Sequence, residues 1–159
     1  ERIEGTVTPS GDIKVLKREP SFNTCPICLA EGTLIDTPDG PVPVERLHEG
    51  MPVWTFDAAG KRVIGSVRKT VVTHVSSSFQ VIQVTLSDGR SVSASPGHPT
   101  AEGRPLGDYR AGETLDGGVI VAVGYSDYDG VTYDFLPSGG TGLYRANGVL
   151  LRSTLPSPW

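Results

Sequence analysis

The chain has 159 residues, a formal net charge of −4 at neutral pH, 37 % hydrophobic residues and 20 % charged residues. That suits one domain with a core of its own, excludes a disordered chain and argues against nucleic-acid phosphate as a partner. No apolar run of about 18 residues is present to span a membrane.

Glycine (20) and proline (13) are spread between short apolar runs, which is how turns punctuate a β protein. Residues 1–24 are polar with apolar stretches at 3–7 and 13–16, and read as a hairpin or a tail from an upstream segment, with a linker at 20–24. From Cys28 the pattern is regular. Strands are expected at 33–35, 42–44 and 51–56, with a turn at 37–40, one helical turn at 44–47 and a reversal at 58–61. The Val- and Thr-rich stretch 63–75 suits a long strand. Residues 79–86 alternate, and Asp88-Gly89 joins them to 91–94 as a hairpin. Further strands follow at 118–125 and 131–135, and Asn147-Gly148 separates 143–146 from 149–151. The expectation is an all-β fold with no sustained helical period and no repeat at a fixed interval.

Three places carry residues capable of chemistry. Cys28 opens the ordered region directly after the linker, where a nucleophile can reach the carbonyl of residue 27; a single cysteine is also commonly a small buried hydrophobe. Ser95-Pro96-Gly97-His98 sets a hydroxyl and an imidazole in one tight turn after a strand. Asp134, inside Val131-Thr132-Tyr133-Asp134-Phe135, is a charge in an apolar strand, costly if it faces the core unpaired. Cys25-Pro26-Ile27-Cys28 has the spacing of a redox pair, so a Cys25–Cys28 disulfide that blocks the nucleophile is one expectation. Cys25 and Cys28 are too few for a disulfide scaffold.

Taken in order, these segments resemble a known family. Cys28 with Gly32-Thr33 and Thr37-Pro38-Asp39-Gly40 is similar to the opening motif of Hint (Hedgehog/intein) autoprocessing domains. Ser95-Pro96-Gly97-His98 resembles their Thr/Ser-x-x-His motif, Tyr133-Asp134 their late Tyr-Asp strand, and Tyr144-Arg145-Ala146-Asn147-Gly148-Val149-Leu150 their terminal hairpin. The resemblance implies a horseshoe-shaped, pseudo-two-fold β fold over residues 28–155, with 1–27 an upstream remnant and 156–159 a short tail. It implies cleavage of the Ile27–Cys28 bond, with Cys28 as nucleophile of an N-to-S acyl shift, His98 as proton donor to the departing nitrogen, Ser95 as a hydrogen-bond partner of the scissile amide, and Asp134 tuning the thiol or assisting proton transfer. The substrate would be the chain's own upstream polypeptide and the acceptor water or another nucleophile. No cofactor or metal is implied, and a monomer is expected.

One departure shapes the reading. Splicing inteins end in His-Asn before Cys, Ser or Thr, whereas this chain has Leu151-Arg152-Ser153-Thr154. Without the cyclising asparagine the expectation is cleavage at the upstream junction rather than splicing, with a gated or inactive Hint-fold binding module as the alternative. A thioredoxin-like enzyme would need a βαβ context that is absent, and a zinc site built on Cys25, Cys28 and His98 or His48 lacks a second ligand pair. His48 and His74 are expected at the surface, residues 138–142 as a turn rather than a phosphate loop, and Trp54 in the core. The chain opens at Glu1, which reads as a processed piece of something longer. An extracellular or envelope setting is expected by analogy with Hint proteins alone.

Overall fold

The computed structural model describes residues 28–75 and 79–155, together with the backbone of two strands before them. Those two, β1 (Arg2–Val7) and β2 (Ile13–Glu19), pair antiparallel as a hairpin in a two-stranded sheet. The expected linker at 20–24 and tail at 156–159 lie outside the described residues, as does Cys25.

The remaining strands are β3 (Leu29–Ala30), β4 (Leu34–Ile35), β5 (Val42–Pro43), β6 (Pro52–Phe56), β7 (Arg62–Val75), β8 (Gln80–Leu86), β9 (Ser91–Ala94), β10 (Thr114–Leu115), β11 (Gly118–Asp127), β12 (Gly130–Pro137), β13 (Leu143–Ala146) and β14 (Val149–Arg152). All are antiparallel to their neighbours. They form an eight-stranded sheet in the order β10-β11-β8-β9-β3-β12-β7-β6 and a four-stranded sheet in the order β14-β13-β4-β5. No α-helix occurs among the described residues, only 3-10 turns at Val44–Arg46 and Leu106–Asp108. The fold is all-β, as the turn-rich sequence requires.

Local chemistry explains the hairpins. In β8, Val81 is buried, and from Ile82 onward Ile82, Val84 and Leu86 are buried while Gln83 is exposed, so there the period-two pattern points one face at the core. Each such aliphatic side chain contributes roughly 1.5–3 kcal/mol when fully buried. The turn after β8 is a three-residue loop, closed by Leu86 N–H donating to the Arg90 carbonyl at 2.8 Å, with Gly89 at φ 94°. Asn147 and Gly148 have φ 49° and 81°, both positive as a two-residue type I′ hairpin demands.

The chain uses one backbone plan twice. A Pro43-capped 3-10 turn is closed by Leu47 N–H to the Val44 carbonyl, and a Pro105-capped one by Tyr109 N–H to the Leu106 carbonyl, both at 3.2 Å. Each then turns at a positive-φ glycine that donates at 2.8 Å to a long strand, Gly50 to Val67 and Gly112 to Ile120. The terminal hairpin joins the two halves. Asp36 N–H donates to Arg145 on β13 at 3.3 Å, and Arg152 N–H on β14 donates to Pro99 at 3.1 Å.

His48 and His74 are exposed, as expected. Trp54 is not a core residue: it is half-buried, with the Arg62 guanidinium 4.0 Å above its ring, because it stands on β6 at the sheet's edge.

Candidate active site around Cys28

The short strand β3 lies between β9 and β12, and this placement assembles the site. Cys28 immediately precedes β3 and is 4 % exposed. Its carbonyl accepts a 2.9 Å hydrogen bond from Ser95 N–H, and its own N–H donates at 3.0 Å to Ser95 Oγ. Ser95, directly after β9, therefore grips residue 28 by both sides of its backbone. The nitrogen in that grip belongs to the Ile27–Cys28 peptide bond.

Across β3, Thr132 of β12 stands opposite Ala30 and donates to the Thr73 carbonyl at 3.2 Å. Burial pushes the Cys28 thiol above its ordinary pKa, and the negative charge of Asp134 adds to this. Hydrogen bonding with Thr132 and Thr73 offsets part of the rise. At rest the group is a protonated thiol.

His98 closes the turn that begins at Ser95, its N–H donating to the Ser95 carbonyl at 3.0 Å. The imidazole is fully buried. Burial lowers its pKa below the ordinary 6.5, while the Asp134 charge and the Arg152 backbone act in the opposite direction. It is thus neutral at neutral pH. Nε2 lies 2.9 Å from the Tyr144 hydroxyl, and that hydroxyl donates at 3.2 Å to Asp134 Oδ1. Nδ1 makes no hydrogen bond, alone in this among buried side-chain atoms of the described residues.

Asp134 is buried on β12 and does not stand unpaired. Oδ1 also accepts from Phe135 N–H at 2.8 Å, and Oδ2 accepts from Thr154 N–H at 2.9 Å and from the Thr154 hydroxyl. A carboxylate with its lone pairs occupied by donors is how such a group survives burial.

The structure brings all four residues expected from the sequence, Cys28, Ser95, His98 and Asp134, into one buried cluster. It does not join His98 to Asp134 directly. The link is Tyr144, which sequence reasoning passed over as part of the terminal hairpin motif. Its signal was available: Tyr144 and Ala146 share the inward face of β13, and a buried tyrosine hydroxyl needs a partner. Cys25, expected as a redox partner, lies outside the described residues, so only the Cys28 thiol is placed. No group of three or more metal-ligating side chains occurs among the described residues, and no helix among them is long and apolar enough to cross a membrane.

The comparisons agree with this fold. A family model described as the Hint domain matches residues 27–98, the stretch that carries Cys28, Ser95 and His98. Residues 27–98 thus match the Hint model, and the described residues have a Hint/intein-like fold. Its fold is similar to the bacterial intein-like domain from Clostridium thermocellum, with a TM-score of 0.68 and 20 % identity, covering 79 % of this chain and 97 % of that one. It is also similar to a DnaB intein from Synechocystis sp. PCC 6803, with a TM-score of 0.71 and 16 % identity over 82 % of this chain and 100 % of that one. The gp41-1 intein gives a TM-score of 0.61 and 21 % identity over 80 % and 98 %. At such identities the likeness is one of fold. No curated protein sequence matches the chain. A Hint/intein-like domain has the architecture for autoprocessing in general; the reaction of this chain must be argued from its own residues.

Proposed function

We propose that this Hint/intein-like domain cleaves its own chain between Ile27 and Cys28 without splicing. The observation that carries the reading is the 3.0 Å hydrogen bond from the Cys28 amide to Ser95 Oγ, which holds the scissile nitrogen in the turn that also bears a buried histidine with an unpartnered Nδ1.

The chemistry balances within the site. Cys28 Sγ attacks the Ile27 carbonyl carbon, a C–S bond forms, and the C–N bond breaks. The thiol proton passes to the departing nitrogen, with His98 Nδ1 taking it and delivering it. An amide nitrogen leaves poorly unless protonated, and a positioned histidine is worth about 10²- to 10⁴-fold in such a step. Neutral, buried His98 is in the correct state to accept that proton first. Ser95 restrains the peptide plane through the attack. Thr132 and Thr73 favour the developing thiolate, and Asp134 opposes it. The resulting thioester on Cys28 is then opened by water or another nucleophile.

Splicing is not part of this reading. Ser153 stands where a splicing intein has its cyclising asparagine, and a serine side chain has no amide to cyclise. Its hydroxyl accepts a 3.1 Å bond from Leu155 N–H instead. Burial that holds the Cys28 thiol protonated fits a reaction that is slow at neutral pH.

The experiment is the intact mass of the chain after incubation with and without dithiothreitol, beside Cys28→Ala. Separation into residues 1–27 and 28–159 that the variant abolishes supports the proposal. A chain that stays whole in every condition supports an inactive Hint-fold module.

A further inference from the structure

The hydrogen bonds around Asp134 fix more than a pair of contacts. Both of its oxygens accept from backbone N–H groups, Oδ1 from Phe135 at 2.8 Å and Oδ2 from Thr154 at 2.9 Å. A backbone N–H can only donate, so the carboxyl group can only accept there. The Tyr144 hydroxyl, 3.2 Å from Oδ1, gives its single proton to Asp134. What remains on the tyrosine oxygen is acceptor capacity alone. His98 Nε2, 2.9 Å away, must therefore carry hydrogen to bond with it. In a neutral imidazole one nitrogen carries hydrogen and the other is bare, so Nδ1 is the bare one. Nδ1 is the atom left without a hydrogen bond.

We infer that Tyr144 is a positioning residue for the self-cleavage: its hydroxyl, held between Asp134 and His98, locks the imidazole in the Nε2–H tautomer and so makes Nδ1 the one atom through which His98 exchanges the proton of the acyl shift. This rests on the cleavage reading above.

The surroundings are consistent with it. The Tyr144 ring is fully buried, stacked at a tilt on Phe135 with centroids 4.4 Å apart, and meets His98 edge-on with centroids 6.3 Å apart. Burial, together with the charge of Asp134 and the bond to it, keeps its hydroxyl protonated well above the ordinary range, so it relays orientation rather than serving as a base. The groups facing His98 are Tyr144 from β13, Asp134 from β12 and the Arg152 backbone of β14, which, like Asp134, favours the protonated imidazole. When His98 takes up a proton, the positive imidazolium is next to a hydroxyl already polarised towards the Asp134 carboxylate.

Two measurements test this. The first is nitrogen NMR of histidine-labelled Cys28→Ala chain, which keeps the bond between residues 27 and 28 and needs no activity. We expect His98 with hydrogen on Nε2 and a bare Nδ1, and loss of that fixed state when Tyr144→Phe is added. Hydrogen on Nδ1 in the tyrosine-containing chain would overturn the inference, whatever the cleavage assay shows. The second is the pH profile of cleavage in Tyr144→Phe. We expect a roughly 10- to 100-fold slower reaction, part of the 10²- to 10⁴-fold that a positioned acid–base group supplies, with the acid limb displaced to lower pH as the imidazolium loses its link to Asp134. An unchanged profile at unchanged rate overturns it, and so does a uniform loss that leaves the limb in place. If Tyr144→Phe fails to fold, the tautomer in the Cys28→Ala chain decides alone. If no chain cleaves, the NMR result still separates a wrong tautomer from a wrong function.

Discussion

The two halves of the domain place the same hydrogen bonds around different side chains. In the first half Thr33 N–H donates to the Ala30 carbonyl at 3.3 Å and Val44 N–H to the Thr33 carbonyl at 2.8 Å; in the second, His98 N–H donates to Ser95 and Leu106 N–H to His98, both at 3.0 Å. Ala30 thus corresponds to Ser95, and Thr33 to His98. All four are buried. In the first half the pair is inert, and the Thr33 hydroxyl satisfies itself on the Ala30 carbonyl at 2.7 Å. In the second half the hydroxyl reaches out to the Cys28 amide and the imidazole reaches Tyr144 and, beyond it, Asp134. The turn geometry is therefore a property of the frame, and the contacts made beyond the turn depend on the two side chains that differ.

Giving the second half the residues of the first breaks the comparison at its strongest point. His98→Thr should lower the cleavage rate by about 10²- to 10⁴-fold, read as intact mass against time, with the β fold kept by circular dichroism. Ser95→Ala should act less, roughly 10- to 100-fold, because it frees the scissile amide without removing the proton carrier; its stability cost should be about 1 kcal/mol in urea.

The hairpin that joins the halves should separate stability from chemistry. Asn147 sits at φ 49°, its Oδ1 accepts from Leu34 N–H of the first half at 2.7 Å, and its Nδ2 donates to the Ser91 carbonyl of the second at 3.0 Å. Asn147→Ala strands both partners and strains the turn, and should cost about 2 kcal/mol of unfolding free energy. At temperatures where it remains folded, its cleavage rate should change by less than that of Ser95→Ala.

The smallest effect sharpens the contrast between the two buried turns through pH. His98 has its pKa lowered in the folded chain, so the unfolded chain binds the proton more readily. The contribution of this burial to stability is present above about pH 6.5 and is lost as pH falls through and below that value towards the lowered folded pKa. Urea unfolding of Cys28→Ala across this window should show the decline, and adding His98→Thr should flatten it. Thr33 has no proton to exchange here, so Thr33→Val should leave the slope as it was.

Much of this frame was legible in advance. β9 and β13 have the expected bounds, and the turns at Gly40, Gly89 and Gly148 announced themselves because only glycine adopts such backbone at little cost. What escaped shares a physical reason. β3 and β10 are two residues long, too short for any period, and exist only because longer neighbours pair with them. The 3-10 turn at Leu106–Asp108 carries Gly107, which hides it from helix propensity; it was visible only by matching Pro105 to Pro43. No repeat at a fixed interval was expected, and the two halves explain why. The loop between Ile35 and Val42 is longer than that between Thr100 and Arg104, so corresponding residues slip out of step. Among the site residues, Cys28, Ser95, His98 and Asp134 were each marked by their segment. Tyr144 was not, because its role depends on a carboxylate 10 positions away and an imidazole 46 positions away in sequence.

In the proposed reaction Cys28 carries the upstream chain as a thioester. The direct test is to incubate the full 159-residue chain with hydroxylamine at neutral pH in the absence of any thiol and to measure the fragment masses. Residues 1–27 should be released with a hydroxamate on Ile27 and residues 28–159 with an amino-terminal cysteine, neither of them from Cys28→Ala. Fragments from Cys28→Ala, release at any other bond, or a chain that hydroxylamine leaves whole while His98 and Ser95 are intact would contradict it.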